Sequence, residues 1–186
     1  MTRGRAVIAL AATAVALAAP APALAVQTTT QRFFAAKLMA DDGTSREVRE
    51  LLRTNEGFVD KRVSFKDLTG DRRADATVRV QSGGANGAVA VYVLSTDTGR
   101  RNSGLAVVFR SQSLRRAQTR IRDGVLRYRS ARPQPGDELC CPSRLSESRL
   151  RWRERRHRFE VVERREIGPL EPWGDQLAPP PPAGAP

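Results

Sequence analysis

The sequence predicts an α+β chain: one or two N-terminal helices followed by a mainly antiparallel, hairpin-built β-sheet. Three observations carry that prediction. Residues 31–54 hold two stretches with helical apolar spacing. From Phe58 onward, short alternating or β-branched runs are separated by turn residues. Asp123-Gly124 then sits between two such runs, a strong hairpin signal because both residues tolerate the positive φ a two-residue turn requires. Helices gathered at one end of the sequence and strands joined by tight turns are the signature of an α+β architecture.

Met1–Ala25 reads as a secretory signal peptide. Arg3 and Arg5 give a positive start, Ala6–Ala19 is apolar, and the small-residue patterns Ala21-Pro-Ala23 and Ala23-Leu-Ala25 place cleavage after Ala25. A membrane anchor is the competing reading, but the run is short of the roughly 20 residues a spanning helix needs, and Pro20 and Pro22 interrupt its end. No cysteine near the site offers a lipid attachment, so no transmembrane or lipid anchor is expected after cleavage. Removing 25 of the 186 residues leaves 161, enough for one domain with a core of its own. The protein is therefore expected to be secreted or held in the cell envelope.

Gln31–Met39 places Phe33, Phe34, Leu38 and Met39 at helical spacing. Asp41-Asp42-Gly43 breaks that pattern, and Thr44 with Glu47 matches a capping box opening a second helix from Ser45 to about Thr54, with Val48, Leu51 and Leu52 as its buried stripe. Residues 26–57 thus form a helical segment, and 58–167 a β-rich domain. Lys61–Lys66 and Ala74–Val80 flank an acidic turn. In the second of these strands Ala76, Val78 and Val80 share one face, and Asp75, Thr77 and Arg79 the other.

Ala88–Leu94 is almost wholly apolar and reads as a central strand covered on both faces. Leu105–Arg110 is a further apolar strand. Ala117–Arg122 and Val125–Arg129 form the Asp123-Gly124 hairpin, with Leu126 and Tyr128 inward. Ser148–Arg153 alternates, with Leu150 and Trp152 inward, and Arg158–Arg164 returns with Phe159 and Val161 inward. Residues 168–186 are rich in proline and alanine and read as an extended, disordered tail.

Two places stand out chemically. In the turn, Asp67, Thr69, Asp71 and Asp75 occupy alternating ligand positions with the carbonyl of Arg73 between them, as calcium requires when a short loop supplies its oxygens. The turn resembles the short Asp-rich loops of integrin-type propeller repeats and dockerin modules over about nine residues, which would imply calcium as cofactor. Val78 stands where an EF-hand carries its glutamate, and Arg72 where a glycine normally bends the loop. The competing reading is that these aspartates hydrogen-bond the backbone of an ordinary Asp-Gly turn.

The second place is Cys140-Cys141, the only cysteines. In an oxidising compartment they bond to each other in a strained vicinal disulfide, bond to another chain, or stay buried and reduced. Val63-Ser-Phe-Lys-Asp-Leu-Thr-Gly-Asp71, Ser82-Gly-Gly84 and Pro135-Gly-Asp-Glu-Leu-Cys-Cys-Pro-Ser143 followed by Leu150-Arg-Trp152 together look similar to a group of small secreted actinobacterial proteins. That resemblance spans roughly Phe58–Glu163, implies an extracellular envelope setting, and brings no catalytic residue with it.

The net charge is +12, falling to +10 once Arg3 and Arg5 are removed, and arginine supplies 29 of the 32 basic residues. Arg127, Arg129, Arg149, Arg151 and Arg153 alternate with the inward residues of their strands, so paired strands would present them as one basic face. Such a face suits an anionic cell-wall polymer, anionic lipid or nucleic acid through phosphates. Few aromatics are interleaved, which argues against specific nucleic-acid readout. The competing reading is a solvated strand face.

His157 is the only histidine and lies among Arg155, Arg156 and Arg158, so it reads as a surface turn residue. Asp137 and Glu138 read as solvated loop carboxylates. No phosphate-cradling loop is present. The sequence points to a non-enzymatic extracellular binding or structural module, with a calcium-braced polymer-binding domain as the alternative and a hydrolase of unrecognised site as a third.

Overall fold

The structure, a computed structural model, describes residues 27–99, 104–137 and 142–168. The expected signal peptide and, apart from Gly168, the expected tail lie outside the described residues. Helix α1 (Thr29–Ala40) begins with a full capping box: Gln31 N donates to Thr28 Oγ1 at 3.2 Å, and Thr28 N donates to Gln31 Oε1 at 2.9 Å. Its buried stripe is Gln31, Phe34, Ala35 and Leu38. Phe33 and Met39, expected on that stripe, flank it and remain exposed. A glutamine is tolerated inside because its Nε2 donates to Val59 O at 2.6 Å.

Helix α2 (Arg46–Thr54) starts one residue later than the Thr44 box would place it. Ser45 is the cap and accepts from Val48 N, while Thr44 donates its hydroxyl to Asp41. Val48 and Leu52 are buried, Leu51 is half-buried, and Asn55 ends the helix in the left-handed region at φ 59°.

The strands form two sheets, not the single sheet the hairpin pattern suggested. In the first, β1 (Phe58–Val59) and β2 (Ser64–Lys66) pair with opposite ends of β3 (Asp75–Gln81), followed by β4 (Ala88–Ser95) and β5 (Ala106–Ser111). In the second, β6 (Gln118–Arg122), β7 (Val125–Ala131), β8 (Leu145–Arg153) and β9 (Arg158–Ile167) make a four-stranded meander. Every pairing is antiparallel. The crossing from β5 to β6 turns through Ser113 and Arg116, both at positive φ. Leu114 N and Ala117 N donate to the carbonyls of Val89 and Ala88 at 2.9 Å, tying the crossing to the start of β4.

Three layers result: helices, first sheet, second sheet. Strand β4 is buried along its whole length, as its unbroken apolar run predicts. Ala90, Tyr92 and Leu94 pack with Ala76, Val78 and Val80 against Phe34, Leu38, Val48 and Leu52 of the helices. Val91 and Val93 pack on the other side with Leu126, Tyr128, Leu150 and Phe159 of the second sheet. The Asp123-Gly124 hairpin is as expected, with φ of 51° and 69° at its two residues. Val161, expected inside, is 38% exposed. A register irregularity at Arg149/Leu150 falls beside its pairing with Leu150, and the neighbouring Phe159 takes the core position.

Candidate functional site

The acidic turn joins β2 to β3, whose ends pair through Lys66 and Asp75. Asp75 is buried at 1% exposure, and one carboxylate oxygen accepts from Leu68 N at 2.7 Å and Thr69 N at 3.0 Å. Asp67 accepts from Gly70 N and Arg72 N with its two oxygens, at 2.7 and 3.0 Å. Asp71 accepts from Arg73 N at 2.8 Å. Gly70 and Arg72 both take positive φ, so arginine adopts the bend for which a metal loop uses glycine.

In the arrangement seen, these carboxylates are engaged by the turn's own backbone amides. The carboxylates of Asp67, Asp71 and Asp75 face amide N–H groups, and among the described residues no three acidic, histidine or cysteine side chains converge on a point. Thr69 Oγ1, the remaining expected side-chain ligand, is buried without a hydrogen-bond partner. Backbone bracing accounts for the aspartates: each carboxylate satisfies donors that a tight, half-buried turn would otherwise strand.

Cys140 and Cys141 lie outside the described residues. Of the carboxylates beside them, Glu138 is also outside. Asp137 accepts from Gln134 N at 2.7 Å and Ser143 N at 3.0 Å, which holds its pKa below the usual range. It serves as the staple of the loop between β7 and β8.

The five predicted arginines share the outer face of the second sheet, but they are not a bare cationic ladder. Arg127 stands directly opposite Arg149, a repulsive cross-strand pair. Each turns to a carboxylate instead: Arg127 to Glu147 at 3.3 Å, Arg149 to Glu163 at 3.0 Å. Arg129 is itself buried and donates to Glu147 at 2.9 Å, and Arg165 reaches the same carboxylate at 2.8 Å. Arg153 shares Glu160 with Arg156 and Arg158. Arg151 is exposed and stands opposite Glu160 in the β8–β9 register.

Glu147 is the hub of this face. Burial pushes its carboxyl pKa up. Hydrogen bonds from Arg165 and Arg129, and their charges, outweigh burial and leave it below the ordinary range. Beside it runs an open groove of about 270 Å³, lined by Arg120, Arg122, Arg127, Arg129 and Arg165 against Asp123 and Glu147. Arg122 lies 3.6 Å from Asp123 at the mouth of this groove. Arg120, Arg122, Arg165 and Glu147 were not singled out in the sequence. The alternation rule that flagged Arg127 would have reached Arg120 and Arg122 across the Asp123-Gly124 turn.

His157 has an orienting partner that its place in an arginine-rich turn did not suggest. Its Nδ1 lies 2.8 Å from Asp97 Oδ1, and its ring meets Trp152 edge-on. It caps the short 3-10 turn Glu154–Arg156 at φ 44°, and a side chain at Gly99 would collide with its ring. Among the described residues no hydroxyl or thiol is hydrogen-bonded to the imidazole. Its evident effect is to pin the β8–β9 turn to the loop after β4.

Fold and site together define a basic α+β protein with two stacked sheets and a charged groove on its outer sheet. No protein-family model, curated protein or solved structure matches the chain. Among the described residues no helix is long and apolar enough to cross a membrane.

Proposed function

We propose that this is an extracellular or cell-envelope binding module, without catalytic activity, whose outer β6–β9 face takes an anionic polymer. The observation that carries the reading is the groove along β6, β7 and β9, where five arginines face two carboxylates. Arg129, Arg127 and Arg165 are held in place by Glu147, so part of the positive charge is preorganised. Guanidinium forks suit phosphate and carboxylate groups. The extracellular setting rests on the Met1–Ala25 segment and its cleavage pattern. A face built this way favours repeated backbone charges over base edges, which fits a polymer such as a poly(glycerol phosphate) better than sequence-specific nucleic acid.

Titration of labelled poly(glycerol phosphate) by fluorescence anisotropy tests this. Saturable binding at physiological salt, weakened about tenfold in the Arg120→Gln/Arg122→Gln double variant, is the expected result. Equal affinity in the double variant, or binding that vanishes at physiological salt, contradicts it. Calcium is the second candidate ligand, at Asp67–Asp75, and the unpartnered Thr69 hydroxyl is what favours it. A melting temperature raised by calcium and lowered by chelator, both abolished in Asp71→Asn, would establish it. No shift leaves the turn braced by its own amides.

A further inference from the structure

The second sheet has another unusual region, on the face opposite the arginine groove. At the Asp123-Gly124 side, its inner face is apolar: Leu126, Leu150 and Phe159 fill the core. Toward the other end of the same face the pattern changes. Tyr128 pairs with Ser148, Ser130 with Ser146, and Ser148 with Arg164 across the ladder. Adjacent partners in an antiparallel ladder point to the same side, so hydroxyls and a guanidinium replace the methyl groups that would close a core.

These serines are 5%, 4% and 1% exposed at Ser130, Ser146 and Ser148. Ser148 accepts from Arg164 Nε at 3.4 Å, a long bond. Ser130 and Ser146 have no side-chain partner among the described residues, and neither does the Arg132 guanidinium. Neither hydroxyl is a sealed, unpartnered group, and a structural role alone would be met by valine, which would fill the space. The serines instead line a cavity of about 190 Å³ that runs to the β5 end at Ser111 and Gln112. It opens past Arg132, Ser146 and Arg164 into a wider groove of about 570 Å³.

The far wall is fixed. Gln112 Oε1 accepts from Ser45 N at 2.6 Å and from the Tyr92 hydroxyl at 2.8 Å, and its Nε2 donates to Gly43 O. Ser111 donates to the Tyr128 hydroxyl. The cavity is therefore held between two rigid sheets. Its charge is one-sided: Arg132 and Arg164 have no carboxylate partner among the described residues, whereas the nearby Glu166 is neutralised by Arg144 at 2.9 Å.

We propose that this cavity binds a small hydroxylated anion, a sugar acid or a sugar phosphate. Its carboxylate or phosphate sits against Arg164 and Arg132, and its hydroxyls face Ser130 and Ser146. Small-molecule sites are mostly apolar with a few placed polar groups. A lining this rich in hydroxyls selects a ligand that is itself rich in them, because an apolar one would leave the serines unpaired. The site is separate from the polymer groove and stands without it.

Isothermal titration of the full chain with glucuronate, glucose 6-phosphate and glucose tests the proposal. Saturable millimolar or tighter binding of at least one anionic sugar is expected, with glucose about tenfold weaker or undetectable. Preference between the two anions identifies the acidic group. Arg164→Gln, at an exposed position, should weaken binding about tenfold while leaving the melting temperature unchanged. Ser146→Val should abolish binding by filling the cavity. Arg120→Gln/Arg122→Gln should leave it intact even if polymer binding is lost. No saturable binding of either anion, equal binding of glucose, or full binding in both Arg164→Gln and Ser146→Val overturns the proposal and leaves the cavity to solvent.

Discussion

The two sheets solve opposite problems with similar strands. In the first, β4 is apolar on both faces, and its neighbours bury it between helices and the second sheet. Its stability rests on packing. In the second, β8 carries Ser146, Glu147 and Ser148 in succession, all at 5% exposure or less. That sheet buries polar groups on both faces, and the charged ones among them, Glu147 and Arg129, are held by each other. The difference teaches why the proposed binding falls on the sheet that departs from apolar packing, with the other as its scaffold.

The contrast predicts unequal responses to substitution. The largest belongs to Glu147→Ala, which leaves the buried Arg129 guanidinium without its carboxylate and removes the partner of Arg127 and Arg165. A loss of about 3–5 kcal/mol by urea denaturation is expected, and a loss below about 1 kcal/mol would mean that the arginines are solvated and the sheet is not held by charge. Next comes Asp75→Ala, where the first sheet depends locally on a polar group. Two donors, Leu68 N and Thr69 N, lose their acceptor, and about 2 kcal/mol should follow.

A smaller effect separates the sheets by pH. Burial first of all pushes the Tyr92 hydroxyl up to about 12 from the ordinary 10, outweighing its hydrogen bonds. The folded chain then keeps a proton that the unfolded chain releases, so this stabilisation is complete below pH 10 and is lost as pH rises from 10 toward 12. On the order of 2 kcal/mol should disappear over that window in denaturation experiments on the parent chain, and less in Tyr92→Phe. The smallest effect is favourable: Arg72→Gly relieves a left-handed arginine at φ 65° and should raise stability by a few tenths to about 1 kcal/mol.

Much of the scaffold was legible in the residues. The uninterrupted apolar run Ala88–Leu94 marks a strand covered twice, and Asp123-Gly124 marks its hairpin, because each signal is local. The division into two sheets was not legible. Which sheet a strand joins is decided by contacts such as Ala117 N with Ala88 O, which no local pattern records. The start of β8 was missed for a related reason. Leu145–Glu147 shows no apolar alternation because the inward residues Ser146 and Ser148 are hydroxylic, so the serine cavity erased the signal that would have revealed its own strand.

The arginine face was half legible. Alternation placed Arg127, Arg129, Arg149, Arg151 and Arg153 on one side, and they do share it. Their compensation by Glu147, Glu160 and Glu163 depends on β8–β9 register, which a single sequence does not give. The acidic turn shows the reverse. Its aspartate spacing was plain, yet the same spacing serves metal ligation and amide bracing equally well, and the geometry here favours the amides.

The most direct test of a binding sheet laid on an inert scaffold is an amide chemical-shift map of the isotope-labelled chain titrated with poly(glycerol phosphate). Saturable shifts are expected in β6–β9, strongest at Arg120, Arg122, Arg127 and Arg165, with β3, β4 and both helices unmoved. Shifts centred on the helices or on β3–β5 would contradict it.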